Sequence, residues 1–192
     1  LKILNYCIDS YRQKTKLDKF SYHEPFFGGG ALYFSLVSGN LIKKAYLNDI
    51  NTELISMYNT IKDDKLLDFF TTKVFQLEKQ FNKDLNRDKL HEKWKVRFNY
   101  LIKKQSKTSL NNKEIVELSA LLLALNKTSF NGMYRKNKKG EFNVPFNKKF
   151  TEIIKFADLN NINNVSHNFQ NAEFTNLSFE KAINFQKIKK GH

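Results

Sequence analysis

The sequence holds few of the residues that staple a chain or bind a metal. Its 192 residues include one cysteine, Cys7, which excludes an internal disulfide framework. Only two prolines occur, Pro25 and Pro145, within a composition that is 41% hydrophobic and 14% aromatic, that of a globular chain. No run of about eighteen apolar residues is present, so no membrane-spanning helix is expected. No signal-peptide pattern opens the chain, and a cytoplasmic location is the expectation. The four histidines, His23, His91, His167 and His192, lack paired spacing and cysteine partners, so no metal centre is expected. Serine, histidine and acid do not fall into a hydrolase-like set either.

The length suits one good core, with room for a second small domain. Net charge is +14, unevenly placed. Residues 24–70 carry four basic and six acidic side chains, whereas residues 81–150 carry seventeen basic and six acidic. That concentration is the footprint of a polyanion-binding surface. A lysine-rich genome would raise the background charge, but it would not empty residues 24–70.

Hydrophobic spacing predicts a helix from Leu1 to Tyr11, a strand over Phe20–Phe27, a helix over Gly30–Val37 and a strand at Ala45–Leu47. A helix over Ile50–Ile61 follows, and this β-α-β-α order points to a parallel sheet. From Lys65 to Leu125 only helical spacing appears, in three helices, with Leu121–Leu125 too apolar for a surface position. Lys136–Gly140 reads as a hairpin tip between Gly132–Arg135 and Glu141–Val144. Ile153–Leu159 is expected to be a short helix and Asn160–Asn164 a loop. Glu173–Leu177 then reads as a strand, and Ser178 as the cap of a helix over Phe179–Phe185. The expected organisation is an α/β portion over 1–64, a helical and hairpin insert over 65–158, and a return to the sheet over 159–192.

Chemistry is suggested by Glu24-Pro25-Phe26-Phe27-Gly28-Gly29-Gly30, where a strand ends in an acid and runs into a glycine turn before a helix. Such turns let a ligand approach the backbone, and the following helix offers unpaired N–H groups. An acid about twenty residues on, here Asp49, is the usual partner of ribose hydroxyls. The dinucleotide fingerprint G-x-G-x-x-G is incomplete, because Tyr33 stands at the third glycine position. A bulky side chain there disfavours the close packing that a pyrophosphate site needs. A cofactor with a ribose and no phosphate fits better, and S-adenosylmethionine is of that kind. The same residues are also compatible with a plain loop in which Asp49 caps the next helix.

These segments resemble the cofactor motifs of Dam-type (D12 class) adenine-specific DNA methyltransferases: Glu24–Ala31, and Leu47-Asn48-Asp49-Ile50-Asn51. The stretch Asn126–Arg135, continuing through Gly140–Phe146, resembles the same family and is its most distinctive segment. The resemblance covers nearly the whole chain and implies a Rossmann-like methyltransferase sheet, here incomplete, with an inserted helical and β-hairpin DNA-recognition domain. It implies that Glu24, Pro25, Phe26, Gly28, Gly30, Asp49 and Ile50 bind S-adenosylmethionine, with Phe26 beside it and Asp49 on its ribose. It further implies DNA contacts from Lys127, Phe130, Asn131, Met133, Arg135, Lys138, Lys139 and Pro145, with Arg135 reading a base. Duplex DNA is the implied substrate, with GATC as a candidate site and a restriction endonuclease as a candidate companion. Read without the family, residues 126–149 are equally a charged, solvated hairpin with an aromatic underside. A nucleotide-dependent enzyme unrelated to DNA is a further reading.

The family's chemistry uses an Asp-Pro-Pro-Tyr segment, which this sequence does not contain. That segment is expected after His192, and a Pro-Gly-Gly-Lys-like segment before Leu1, so no catalytic residue is assigned within the chain. The expectation is an incomplete copy of the enzyme, inactive alone. The alternative is a non-catalytic DNA-binding remnant.

Overall fold

The computed structural model describes residues 2–16, 18–149 and 153–188. The chain divides into two compact units, one formed by residues 1–50 and 168–192, the other by residues 51–167.

The first unit carries α1 (Lys2–Thr15), β1 (Phe20–Glu24), α2 (Ala31–Ser38) and β2 (Ile42–Asn48). In chain order there follow α3 (Thr52–Lys62), α4 (Asp64–Lys83), α5 (Arg87–Gln105), α6 (Asn112–Thr128) and α7 (Leu159–Phe169), then β3 (Ala172–Thr175) and α8 (Phe179–Ile188). The sheet is three-stranded in the order β1-β2-β3, and both pairings are parallel, as the β-α-β-α order predicts. In the register, Tyr22 faces Ala45, Glu24 faces Leu47, and Leu47 faces Phe174. Ala45 and Leu47 of the central strand are fully buried. Against them packs an aromatic cluster in which Phe27 meets Tyr33 at 5.8 Å, Phe169 at 6.2 Å and Phe174 at 5.9 Å. Tyr33 is 1% exposed, and its hydroxyl donates to the Asn168 carbonyl. Burial pushes that hydroxyl up to about 12. Tyr33 thus anchors α2 in the core.

The second unit is built around α6, which packs on α3, α4 and α5. Leu118, Leu121, Leu122, Ala124 and Leu125 are all buried, as their apolar run predicts. An Asn111–Glu114 capping box starts this helix. A buried polar contact, Thr60 Oγ1 to Ser119 Oγ at 3.0 Å, sets α3 against α6.

Two expectations are corrected. Residues 153–158 are not helical, and the Asn-rich run 160–164 lies inside α7 instead of forming a loop. The cause is partly capture of the backbone by side chains. Glu78 accepts the N–H groups of Phe156 and Ala157, and Asn82 exchanges two hydrogen bonds with Ile154. The helix then starts where Asp158 accepts from the Asn161 N–H, and Ile162, Ser166 and Phe169 give it a buried stripe. The hairpin tip is present: Asn137 N–H donates to the Glu141 carbonyl and Lys136 bridges Phe142 in antiparallel sense. Its flanks form no regular strands. Asn99 takes both backbone groups of Phe142, one through each end of its amide.

Candidate functional site

In the first unit the loops after β1, β2 and β3 meet at the carboxyl edge of the sheet, where open parallel sheets bind ligands. Gly28 and Gly30 have φ of 48° and 72°. A Cβ on Gly30 would lie 2.6 Å from the Phe27 ring, whereas one on Gly28 would meet nothing within 4 Å. Gly30 is therefore required by packing. Gly28 faces open space.

The glycine turn and the acid come together directly. The Gly28 N–H donates to Asp49 Oδ2 at 2.8 Å. Asp49 is held in turn through its backbone, with its N–H on the Thr175 carbonyl and its own carbonyl accepting from the Asn176 amide. The cap of α3 is Asn51, whose side chain accepts from Leu54, so Asp49 does not serve as that cap.

Beneath them sits Asn48, 1% exposed and fully satisfied. Its amide nitrogen donates to the Pro25 and Leu177 carbonyls, and its oxygen accepts from the Thr175 hydroxyl and the Leu177 N–H. One side chain thus fixes all three loops. Sequence reading passed over Asn48, although an amide ending an apolar strand beside an acid was the available signal.

Glu24 shares the sheet face of Tyr22 and is hydrogen-bonded to it. Its Oε2 is buried and meets no donor among the described residues. Burial raises its pKa, with the Tyr22 bond pulling the other way. A buried acceptor without a donor fits a ligand that brings hydroxyl or ammonium hydrogens. Phe26 and Ile50 add apolar surface, 68% and 76% exposed, and Phe26 lies 5.5 Å from the Phe179 ring. Pro25 contributes its carbonyl to Asn48.

In the second unit the segment 126–149 leaves α6 and folds back on it. Phe130 N–H donates to the Pro145 carbonyl, Asn147 N–H to the Thr128 carbonyl, and the Asn126 amide to the Gly132 carbonyl. Asn131 and Gly132 both have positive φ, 52° and 62°. The result lifts Lys127, Phe130, Asn131, Met133, Arg135, Lys138, Lys139 and Pro145 into solvent; all eight are exposed. Arg135 Nε donates to Asn143 Oδ1 at 3.0 Å. Below, His91 is buried with its Nε2 3.1 Å from the Ser129 hydroxyl. Desolvation, with Lys95 adding, lowers its pKa to about 4.

Among the described residues no three His, Cys, Asp or Glu side chains gather as a metal site, and no helix is long and apolar enough to cross a membrane. The region around His192, after which the catalytic segment is expected, lies outside the described residues, as does Leu1.

The family model of the D12 class N6 adenine-specific DNA methyltransferases matches residues 2–191. The chain belongs to this family. Among similar proteins, the Type II methyltransferase M.MjaIII of Methanocaldococcus jannaschii is 35% identical over 159 residues, covering 83% of this chain and 52% of that protein. The Type II methyltransferase M1.LlaDCHI of Lactococcus lactis subsp. cremoris is 32% identical, covering 84% and 51%. The DNA adenine methylase of Haemophilus influenzae is 29% identical, covering 84% and 49%. The chain spans about half the length of these relatives. Its mixed α/β character and small parallel sheet are consistent with a methyltransferase fold.

Proposed function

We infer that this chain supplies the methyl-donor site and the DNA-reading segment of an adenine-specific DNA methyltransferase that uses S-adenosylmethionine. The observation that carries the reading is the Gly28–Asp49 hydrogen bond, which joins glycine turn and ribose-type acid at the carboxyl edge of a parallel sheet. When bound, the donor supplies an activated methyl group. Asp49, oriented by the Gly28 N–H and by its tethered backbone, accepts from the ribose hydroxyls. Glu24 offers its buried oxygen to a further hydroxyl or ammonium hydrogen of the donor. Phe26 and Ile50 cover the adenine ring, and Gly28 leaves the space that any side chain would occupy.

The second unit serves the substrate. An exocyclic adenine amine is out of reach while stacked, so the target base has to leave the duplex. Phe130 and Asn131 fill the gap, Lys127, Lys138 and Lys139 neutralise phosphates, and Arg135 reads a guanine edge through two hydrogen bonds. Residues 51–167 form the DNA-recognition insert on this reading. Target sequences such as GATC, and a companion restriction endonuclease, fit the same reading; the Type II names of two relatives support the companion.

Methylating an amine requires acceptors that raise nitrogen's nucleophilicity, and the 192 residues contain no Asp-Pro-Pro-Tyr segment to provide them. This stretch alone is expected to bind donor and duplex DNA without turnover. Competition between S-adenosylmethionine and a nicotinamide dinucleotide tests the cofactor: displacement of a bound probe by the former supports the reading, and preference for the latter overturns it.

A further inference from the structure

A carboxylate in the first turn of a helix is ordinarily a solvent-exposed complement to the helix dipole. Glu53, in the first turn of α3, is instead 2% exposed. Both of its oxygens accept from Lys136 Nζ, at 2.8 Å each, and Oε2 also accepts from the Tyr134 hydroxyl at 3.1 Å. Tyr134 is hydrogen-bonded to Asn51 as well, so the start of α3 holds it twice.

The two residues captured are those that flank Arg135. Extended backbone sends alternate side chains to opposite faces, and Met133 enters the segment at φ −70°, ψ 146°. Tyr134 is half-buried and reaches the same carboxylate as Lys136, while Met133 and Arg135 are exposed. From the other side, Asn143 accepts from Arg135 Nε and donates its N–H to the Arg135 carbonyl. Asn143 engages Nε and not the terminal nitrogens. Arg135 is thereby fixed along the chain by its two neighbours and about its own side chain by Asn143.

We propose that Glu53 is a positioning residue for sequence reading: its carboxylate pins Tyr134 and Lys136 and so sets the direction in which Arg135 presents its guanidinium to DNA. This rests on the reading of Arg135 as a base-contacting residue. Glu53 itself touches no substrate. Its effect differs from that of a phosphate-binding lysine, because losing the pin leaves the basic surface in place and lets the reader wander. An ion pair with its carboxylate buried that only stabilised the fold would move stability and leave preference alone.

The test uses a pool of randomised duplexes, from which wild-type protein and each variant select bound sequences, with total affinity for the unselected pool measured alongside. E53Q is expected to reduce the preference for the selected sequence by about tenfold or more, the worth of a bidentate guanine contact, with pool affinity within about threefold. Y134F, which removes one hydroxyl and cannot leave a charge unpaired, is expected to give a smaller loss in the same position of the sequence. The double variant E53Q/K136M removes both charges together, which restores much of the stability a single change costs. Its preference is expected to stay lost while its Tm recovers. That separation is what a purely structural role does not produce. If E53Q does not fold, Y134F and the double variant carry the same comparison. Preference unchanged in the variants against a selective wild type overturns the role of Glu53 alone. A wild type that selects no sequence overturns the base-reading role of Arg135, and this proposal with it.

Discussion

Asn48 shows how one side chain sets a site without touching a ligand. Four hydrogen bonds converge on its amide, from or to Pro25, Thr175 and Leu177. N48L keeps roughly the volume and strands those partners, so a loss of about 3–4 kcal/mol is expected in urea unfolding, since each unsatisfied buried group costs roughly 1–3 kcal/mol. His91 makes a different prediction. Its folded pKa is depressed to about 4 from an ordinary 6.5. Between those values the unfolded chain takes up a proton that the folded chain refuses, so stability falls as pH drops through that window. Over it, the wild type is expected to lose roughly 2–3 kcal/mol more than H91Q, measured by unfolding at stepped pH. Neither role was legible in the sequence. The value of Asn48 lies largely in its three bonds to Thr175 and Leu177, more than a hundred positions away, and that of His91 in burial behind Ser129 and Phe146. Gly28, Gly30 and Asp49 were legible because a local turn and a strand end signal themselves in neighbouring residues.

At the scale of elements, apolar periodicity found α3, α4, α5 and α6, the last most clearly. It failed between 153 and 164, where the run of asparagines pointed to a loop although Ile162, Ser166 and Phe169 fall on one buried helical stripe. There Glu78 and Asn82 of α4 claim the backbone of 154–157, and Asp158 supplies the cap that begins α7. Side chains that far off in sequence overrode local propensity. D158A removes that cap and is expected to cost about 1 kcal/mol, read as a lowered Tm. The hairpin was legible as a tip with Gly140 at φ 77°. Its lack of regular strands was not, because Asn99 on α5 supplies the missing partner.

At the scale of the molecule, composition already separated an acidic stretch, 24–70, from a basic one, 81–150; the basic stretch falls within the unit formed by 51–167, whereas the acidic one is divided between the two units at residue 51. Residues 1–50 with 168–192 hold the glycine turn, Glu24 and Asp49; residues 51–167 hold the exposed basic segment and the Glu53 cluster. The motif order made the family readable, whereas the division at Asn51 arises because α3 packs on α6 and α4. On the proposed function, the two tasks of holding a donor and reading DNA belong to separate units, and a change in one acid separates them. Calorimetric titration of S-adenosylmethionine into wild-type protein and D49A, paired with duplex-DNA binding by both, measures this most directly. The account predicts saturable donor binding by wild type, at least tenfold weaker in D49A, the loss of about 1.4 kcal/mol expected of a charge-assisted hydrogen bond or more, with DNA affinity unchanged. Equal donor affinity in the two proteins, or an equal loss of donor and DNA binding in D49A, would contradict it.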